Sequence, residues 1–288
     1  LNVDYVYSVD HIIVGGETQH SSKLEVFSGG KGLNQSIALA KAGVPVYHAG
    51  IVGTDGDILL EACKEAGVNT KYIRRLPVKG GHTMIQVDKN AQNCIILYGG
   101  TNQMQTKEFV DEVLADFGEG DYLILQNEIN MLDYIIDQAY EKKMKIVMNP
   151  SPFDDKLSTC DLSKVYLFLV NEIEGEQITG CKDKDQILDA MAAKFPNARF
   201  VLTLGSDGAV YYDGKEKVFQ DIFKVKAVDT TAAGDTFTGY FIAAVTAGRS
   251  IQEALRMAAK ASSIAVSRPG ATPSIPRADE VKKELGML

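Results

Sequence analysis

The stretch VYLFLVNEIEGEQITG, residues 165–180, changes character at Asn171. Val165 to Val170 form a near-continuous apolar run of strand length, the pattern of a parallel strand buried on both faces. Asn171 ends the run, and Glu174 sits about one turn into the predicted helix that follows. Runs of the same kind recur at YHAGIV (47–52), DYLILQ (121–126), KIVMN (145–149) and RFVLTL (199–204). Between them lie helical spacings. Leu132, Ile135, Ile136 and Ala139 share one face, as do Ile187, Leu188, Met191 and Phe195. Phe237, Tyr240, Phe241, Ala244 and Val245 repeat the pattern, followed by Ile251, Ala254, Leu255 and Ala258. This alternation predicts an α/β fold, a doubly wound, mostly parallel central sheet with helices on both faces. Such sheets bind ligands beyond the carboxyl ends of their strands.

Residues 9–27 and 82–98 read differently. HIIV is followed by GGETQHSSKLEVFSGG, and HTMIQVD by KNAQNCIIL, β-rich runs joined by polar turns. They are expected to form a small antiparallel sheet projecting from the main body, a candidate lid.

The chain has 288 residues, which suits one large α/β domain with a small appendage, or two domains. A net charge of −8 and a pI near 5.1 argue against a nucleic-acid or anionic-membrane partner. Small anionic ligands stay open, since they need only local positive potential. Cys63, Cys94, Cys160 and Cys181 form no C-x-x-C pair and no zinc-like spacing with the histidines, as expected for reduced thiols in a cytoplasmic protein. No apolar run approaches the ~20 residues of a membrane span. The sequence opens at Leu1 without methionine, and a short preceding stretch is expected.

The segment DTTAAGDTF, residues 229–237, stands directly before an apolar helical run. Ala232, Ala233 and Gly234 have almost no side chain, so an anion can approach the unpaired amides of a first helical turn. A carboxylate there, Asp235, would repel a resting phosphate, and its better use is to accept a proton from an attacking hydroxyl. The alternative is plain capping by Thr230 or Thr231. In SGGKGLNQSIALAKAG (28–43), glycines precede an amphipathic helix, with Lys31 and Asn34 able to bond a polyol. The P-loop pattern fails, because Gly32 follows Lys31. In LNVD, Asn2 and Asp4 share one strand face and could grip adjacent hydroxyls. Glu174 could hold hydrated Mg²⁺ near a triphosphate, or Asn171 could simply cap its helix. In VLTLGSDGAV (201–210), Thr203, Gly205 and Gly208 shape a tight turn open to adenine or ribose, or a plain hairpin. Glu128 lies just beyond a strand end in LILQNEI.

Taken together, NVD, GGKGLNQ, LQNE, NPSP (149–152), NEIE, TLGSDG, DTTAAGDTF and SRPGATPSIP (267–276) resemble the ribokinase branch of the ribokinase/PfkB carbohydrate kinase family, in order and over nearly the whole chain. The family usually has glycine where Ala232 stands, and the leading strand of its fold is absent or cut short here. The resemblance implies one kinase domain over 1–288 and a set of roles. Asp235 would be the catalytic base. The amides around Ala232, Ala233 and Gly234 would form an anion hole. Asn2, Asp4, Gly30, Lys31, Asn34 and Glu128 would hold the sugar, and Asn171, Thr203, Gly205 and Gly208 the ATP. Glu174 would serve Mg²⁺ through water. An activating K⁺ would match Asp229, Thr231, Ala265, Arg268, Gly270 and Ser274, several through backbone carbonyls. The implied activity is transfer of the γ-phosphoryl group of ATP to a sugar hydroxyl, D-ribose first. Deoxyribose, a ketose, a keto-sugar acid or a nucleoside are rival substrates, and a non-catalytic sugar- or nucleotide-binding protein is the rival of another class. A Rossmann dehydrogenase is disfavoured, since no G-x-G-x-x-G follows an early strand. A homodimer through the lid is expected from the same resemblance.

Overall fold

The computed structural model describes residues 1–90 and 92–287. Ala91, inside the expected 82–98 strand region, and Leu288 lie outside the described residues. In chain order the elements begin with Asn2–Ser8 (β1), Lys23–Gly29 (β2), Lys31–Lys41 (α1), Tyr47–Val52 (β3), Asp57–Ala66 (α2) and Asn69–Arg75 (β4). His82–Val87 (β5), Asn93–Tyr98 (β6), Lys107–Ala115 (α3), Tyr122–Gln126 (β7), Leu132–Glu141 (α4) and Lys145–Asn149 (β8) follow. Then come Leu167–Asn171 (β9), Glu172–Thr179 (α5), Lys184–Lys194 (α6), Arg199–Thr203 (β10), Ala209–Tyr212 (β11) and Lys217–Gln220 (β12). Ala233–Thr246 (α7), Ile251–Val266 (α8) and Ala278–Glu284 (α9) complete the chain.

The apolar runs become the parallel strands β7, β8, β9 and β10, with β11 and β12 added antiparallel at one edge of a six-stranded sheet. Alternate side chains of these strands point to opposite faces, and both faces are buried. Val147, Leu169 and Val201 pack with α1, α7 and α8, while Met148, Phe168, Val170 and Phe200 pack with α4 and α6. This is the doubly wound arrangement, with every expected core position of α4 buried. β3 and β4 form a separate parallel pair. A cavity of about 630 Å³ lies between it and the large sheet, lined by Val46, His48 and Ala49 on one side and by Leu123 and Leu125 on the other.

The third sheet, in the order β2-β1-β5-β6, corrects two expectations. It is mixed, because β1 runs parallel to β5 while β1–β2 and β5–β6 are antiparallel. Its first strand is Asn2–Ser8, whereas HIIV (11–14) forms no strand. The reason is register. Pairing with β2 and β5 ends at Ser8, and Val9 N–H makes one last bond to Val87 O at 2.9 Å. The chain then turns through Gly16 at φ 87°, with the Val14 amide and the His11 ring held by the Glu17 carboxylate. Every residue of β6 is exposed.

Candidate active site

The carboxyl edge of the large sheet carries a row of polar residues, Gln126 on β7, Asn149 on β8, Asn171 on β9 and Thr203 on β10. Gln126 pairs in register with Asn149, and Asn171 with Thr203. The apolar strands thus end in side chains that can bond a ligand, at the place where such sheets bind one.

α7 supplies the acid. Asp229 Oδ1 accepts from Thr231 N at 2.9 Å and from Thr231 Oγ1 at 2.6 Å, which turns the chain into the helix. Ala232 takes the left-handed conformation at φ 59°, a strained one for a residue with a Cβ. The amides of Gly234 and Asp235 meet no acceptor among the described residues, and the space beside Gly234 is open. Asp235 is 7% exposed, and its two oxygens accept from Asn34 Nδ2 and Gln35 Nε2, each at 2.9 Å. Both donors sit in the first turns of α1. Close crossing of α1 by α7 makes this possible, since a methyl at Gly239 would overlap Ala38.

The expected sugar residues converge on the same side. Asn2 is buried, with Oδ1 accepting from Asn102 Nδ2 at 2.8 Å. Asp4 Oδ1 accepts from Thr83 Oγ1 at 2.6 Å. Burial pushes the Asp4 carboxyl up to about 6, against the Thr83 hydrogen bond and with help from the charge of Glu128. Glu128 is raised too, first by burial and further by the charge of Asp235, while Lys31 opposes. Lys31 N donates to Glu128 Oε2 at 2.9 Å. Gly30 turns at φ 93° beside the Asn2 backbone. Asn34 Oδ1 is buried and has no hydrogen-bond partner among the described residues, so a ligand hydroxyl would satisfy it.

On the nucleotide side, Asn171 and Glu174 make a capping box. Glu174 N donates to Asn171 Oδ1 at 2.8 Å, and Glu174 Oε2 accepts from Asn171 N at 3.1 Å and Asn149 Nδ2 at 3.4 Å. A single buried carboxylate fits Mg²⁺ held mainly by water and substrate phosphates. Gly205 (φ 54°) and Gly208 (φ 98°) form the β10–β11 hairpin turn, so the plain turn reading is correct as local structure. Gly205 faces open space, which leaves bare backbone for a ligand.

The cation residues are only partly gathered. Asp229, Thr231 and Gly270 meet directly, Gly270 N donating to Asp229 Oδ2 at 2.9 Å. Burial resists ionisation of Asp229, but these hydrogen bonds outweigh it and hold its carboxyl below the usual range. Three of its roughly four acceptor positions are used, leaving room for one cation contact. The end of α8 is tied in through Val266 O, which accepts from Val228 N and Asp229 N. The Arg268 side chain does not reach the group, being paired with Glu280 of α9. The Ser274 hydroxyl is taken by Ala271 O at 2.8 Å. Ala265 O already accepts from Arg268 N at 3.1 Å. Ala265, Arg268 and Ser274 are thus left with carbonyl oxygens to offer. Among the described residues no three His, Cys, Asp or Glu side chains form a metal cluster.

Sequence reading missed Gln35, Thr83, Asn102 and Asn149 as site residues. Asn149 stood at the end of an apolar run, as Asn171 did, and that shared position was the usable signal. Thr83 and Asn102 gave none, since their contacts to Asp4 and Asn2 span 79 and 100 residues.

The chain is similar to known proteins over nearly its whole length. A ribokinase of Haemophilus influenzae is 33% identical over 293 residues, covering 97% of this chain and 94% of the relative. The solved ribokinase of Thermotoga maritima superposes with a TM-score of 0.87 at 33% identity, covering 99% of this chain and 96% of that one. The Arabidopsis thaliana ribokinase solved with ribose and ATP gives 0.86 at 29% identity, covering 99% and 96%. The sequence profile of the pfkB family carbohydrate kinases matches residues 1–278. A buried carboxylate at the head of α7, a polar strand edge beside it and a likeness running the length of the chain agree, and the protein belongs to the pfkB family of carbohydrate kinases.

Proposed function

We propose that the protein is an ATP-dependent sugar kinase that phosphorylates the O5 hydroxyl of D-ribose. The observation that carries this reading is the setting of Asp235, a buried carboxylate held by Asn34 and Gln35 beside the free amides of Gly234 and Asp235. Asn2, Asp4, Gly30, Lys31, Asn34 and Glu128 orient the sugar so that one hydroxyl faces Asp235. The hydroxyl proton passes to Asp235 as its oxygen bonds the γ-phosphorus and the bond to ADP breaks. The free amides of Gly234 and Asp235 at the head of α7, beside Ala232 and Ala233, stabilise charge on the transferred group, each donor contributing ~3 kcal/mol, while the Ala233 amide is turned to Thr230 O at 3.2 Å. Asn171, Thr203, Gly205 and Gly208 receive the nucleotide, and Glu174 would serve its metal through water. Mg²⁺ near Glu174 would supply neutralisation of phosphate charge, and K⁺ held by the Asp229–Thr231–Gly270 group would brace the anion hole.

The four-stranded sheet serves as a lid that excludes water from the sugar. β6 leaves Ile95 54% and Ile96 61% exposed, and these residues are proposed to pair two lids in a homodimer. Ile96→Glu is expected to shift the mass seen by light scattering from dimer to monomer. A wild-type monomer at micromolar concentration overturns the dimer. Four free thiols suit the reducing cytoplasm, and among the described residues no helix is long and apolar enough to cross a membrane.

ADP release measured across a panel of sugars tests the whole reading. Ribose should give the highest kcat/KM. A faster nucleoside or fructose removes the substrate assignment, and ribose binding without ADP formation removes the activity.

A further inference from the structure

Gln35 follows the expected sugar residue Asn34 and is 1% exposed, and beyond its contact with Asp235 it has no assigned part in the reaction. Its side chain bonds three partners. Nε2 donates to Asp235 Oδ1 at 2.9 Å and to Asn149 Oδ1 at 3.1 Å, and Oε1 accepts from Gln126 Nε2 at 2.6 Å. The direction of this chain is forced. An ionised carboxylate only accepts, so the amide nitrogen of Gln35 must face Asp235. Its second hydrogen then points to Asn149 Oδ1, which turns the Asn149 nitrogen toward Leu169 O at 3.0 Å and Glu174 Oε2 at 3.4 Å. Gln126 closes the other end.

We propose that Gln35 is a positioning residue for phosphoryl transfer, fixing the Asp235 carboxylate in register with Asn149 and Glu174 at the nucleotide end of the site. This rests on Asp235 being the base. One amide group spans the two halves of the reaction. It holds the proton acceptor on one hydrogen and the sheet edge leading to the metal carboxylate on the other. Without it, Asp235 keeps a single donor, Asn34, and can rotate about that contact.

The test is a double-mutant cycle in steady-state kinetics, with ribose and ATP varied separately. Gln35→Leu should lower kcat by ~10-fold or more while both KM values stay within about threefold, because the loss is in placement of the base and not in binding. Gln35→Glu keeps the shape but sets a carboxylate against Asp235, and should lower kcat further. In the Asp235→Asn background, Gln35→Leu should change the residual turnover by less than about twofold, since the group it positions is gone. The same fold loss in both backgrounds overturns the proposal, as does an unchanged kcat in Gln35→Leu. Should Gln35→Leu fail to fold by circular dichroism, Gln35→Glu carries the same comparison. Near-normal turnover in Asp235→Asn alone overturns the base assignment instead, so the two failures are distinguishable.

Discussion

The Asp4 carboxylate fills the space in which Gly29 would carry a side chain, a methyl built on Gly29 overlapping Asp4 Oδ2. The two residues lie on the adjacent strands β1 and β2, where Gly29 pairs in register with Asn2. Glycine at 29 is therefore a condition for the position of Asp4. Gly29→Ala is expected to weaken ribose binding at least ~10-fold by calorimetry while leaving the KM for ATP within twofold. It should also cost ~1–3 kcal/mol of stability from overpacking. Unchanged ribose affinity would separate Asp4 from sugar binding.

Asp4 also makes a prediction about pH. Its folded value near 6 lies above the usual 3.8, so the native state holds a proton that the unfolded chain has released. The stabilisation from that proton is full below about 3.8 and is lost as pH rises through 6. At neutral pH the ionised, buried carboxylate therefore costs on the order of 2–3 kcal/mol. Asp4→Asn should raise Tm at pH 7.5 and have little effect on it at pH 3.8. Ribose affinity should fall below pH 6 in the wild type, because hydroxyls donate to the ionised form. The fall should be shallower in Asp4→Asn, which lacks that carboxyl.

Asp235→Asn keeps the shape of the site and removes the proton acceptor. It should lower kcat by at least ~10²-fold with little change in ribose affinity. Turnover by coupled ADP release, paired with calorimetry, checks both halves of that statement.

Ala232 holds a left-handed backbone that glycine adopts without penalty. Ala232→Gly should stabilise the protein by about 1 kcal/mol, offset in part by the greater chain entropy of glycine, and leave kcat within about twofold. A lowered Tm in that variant would contradict the strain.

Much of this architecture is legible in the sequence because burial on both faces leaves an apolar signature. KIVMN and YHAGIV coincide with β8 and β3 to the residue, and the α4 spacing predicts its buried face. HIIV misled because its composition suits a strand, whereas strand length is set by where partners end, here at Ser8. At the candidate site, Asp235 and Glu174 stand out in the sequence because helix starts have local chemistry. Gln35 does not, since its meaning comes from Asn149 and Asp235, 114 and 200 residues away. In the cation set, several members of which would act through backbone carbonyls, Arg268 and Ser274 have only their carbonyls to offer. Their side chains are already committed to Glu280 and Ala271.

The edge strand β6 also governs how the molecule behaves in bulk solution. In any copy outside the proposed dimer, this strand, with exposed apolar residues on both sides, is a template for stacking with other copies. The charge of −8 keeps such encounters apart at low ionic strength, and at ~1 M salt the screening length falls to about 3 Å and that protection disappears. Concentrated stocks should therefore cloud first in high-salt buffer, and lysine replacing Ile95 should keep them clear.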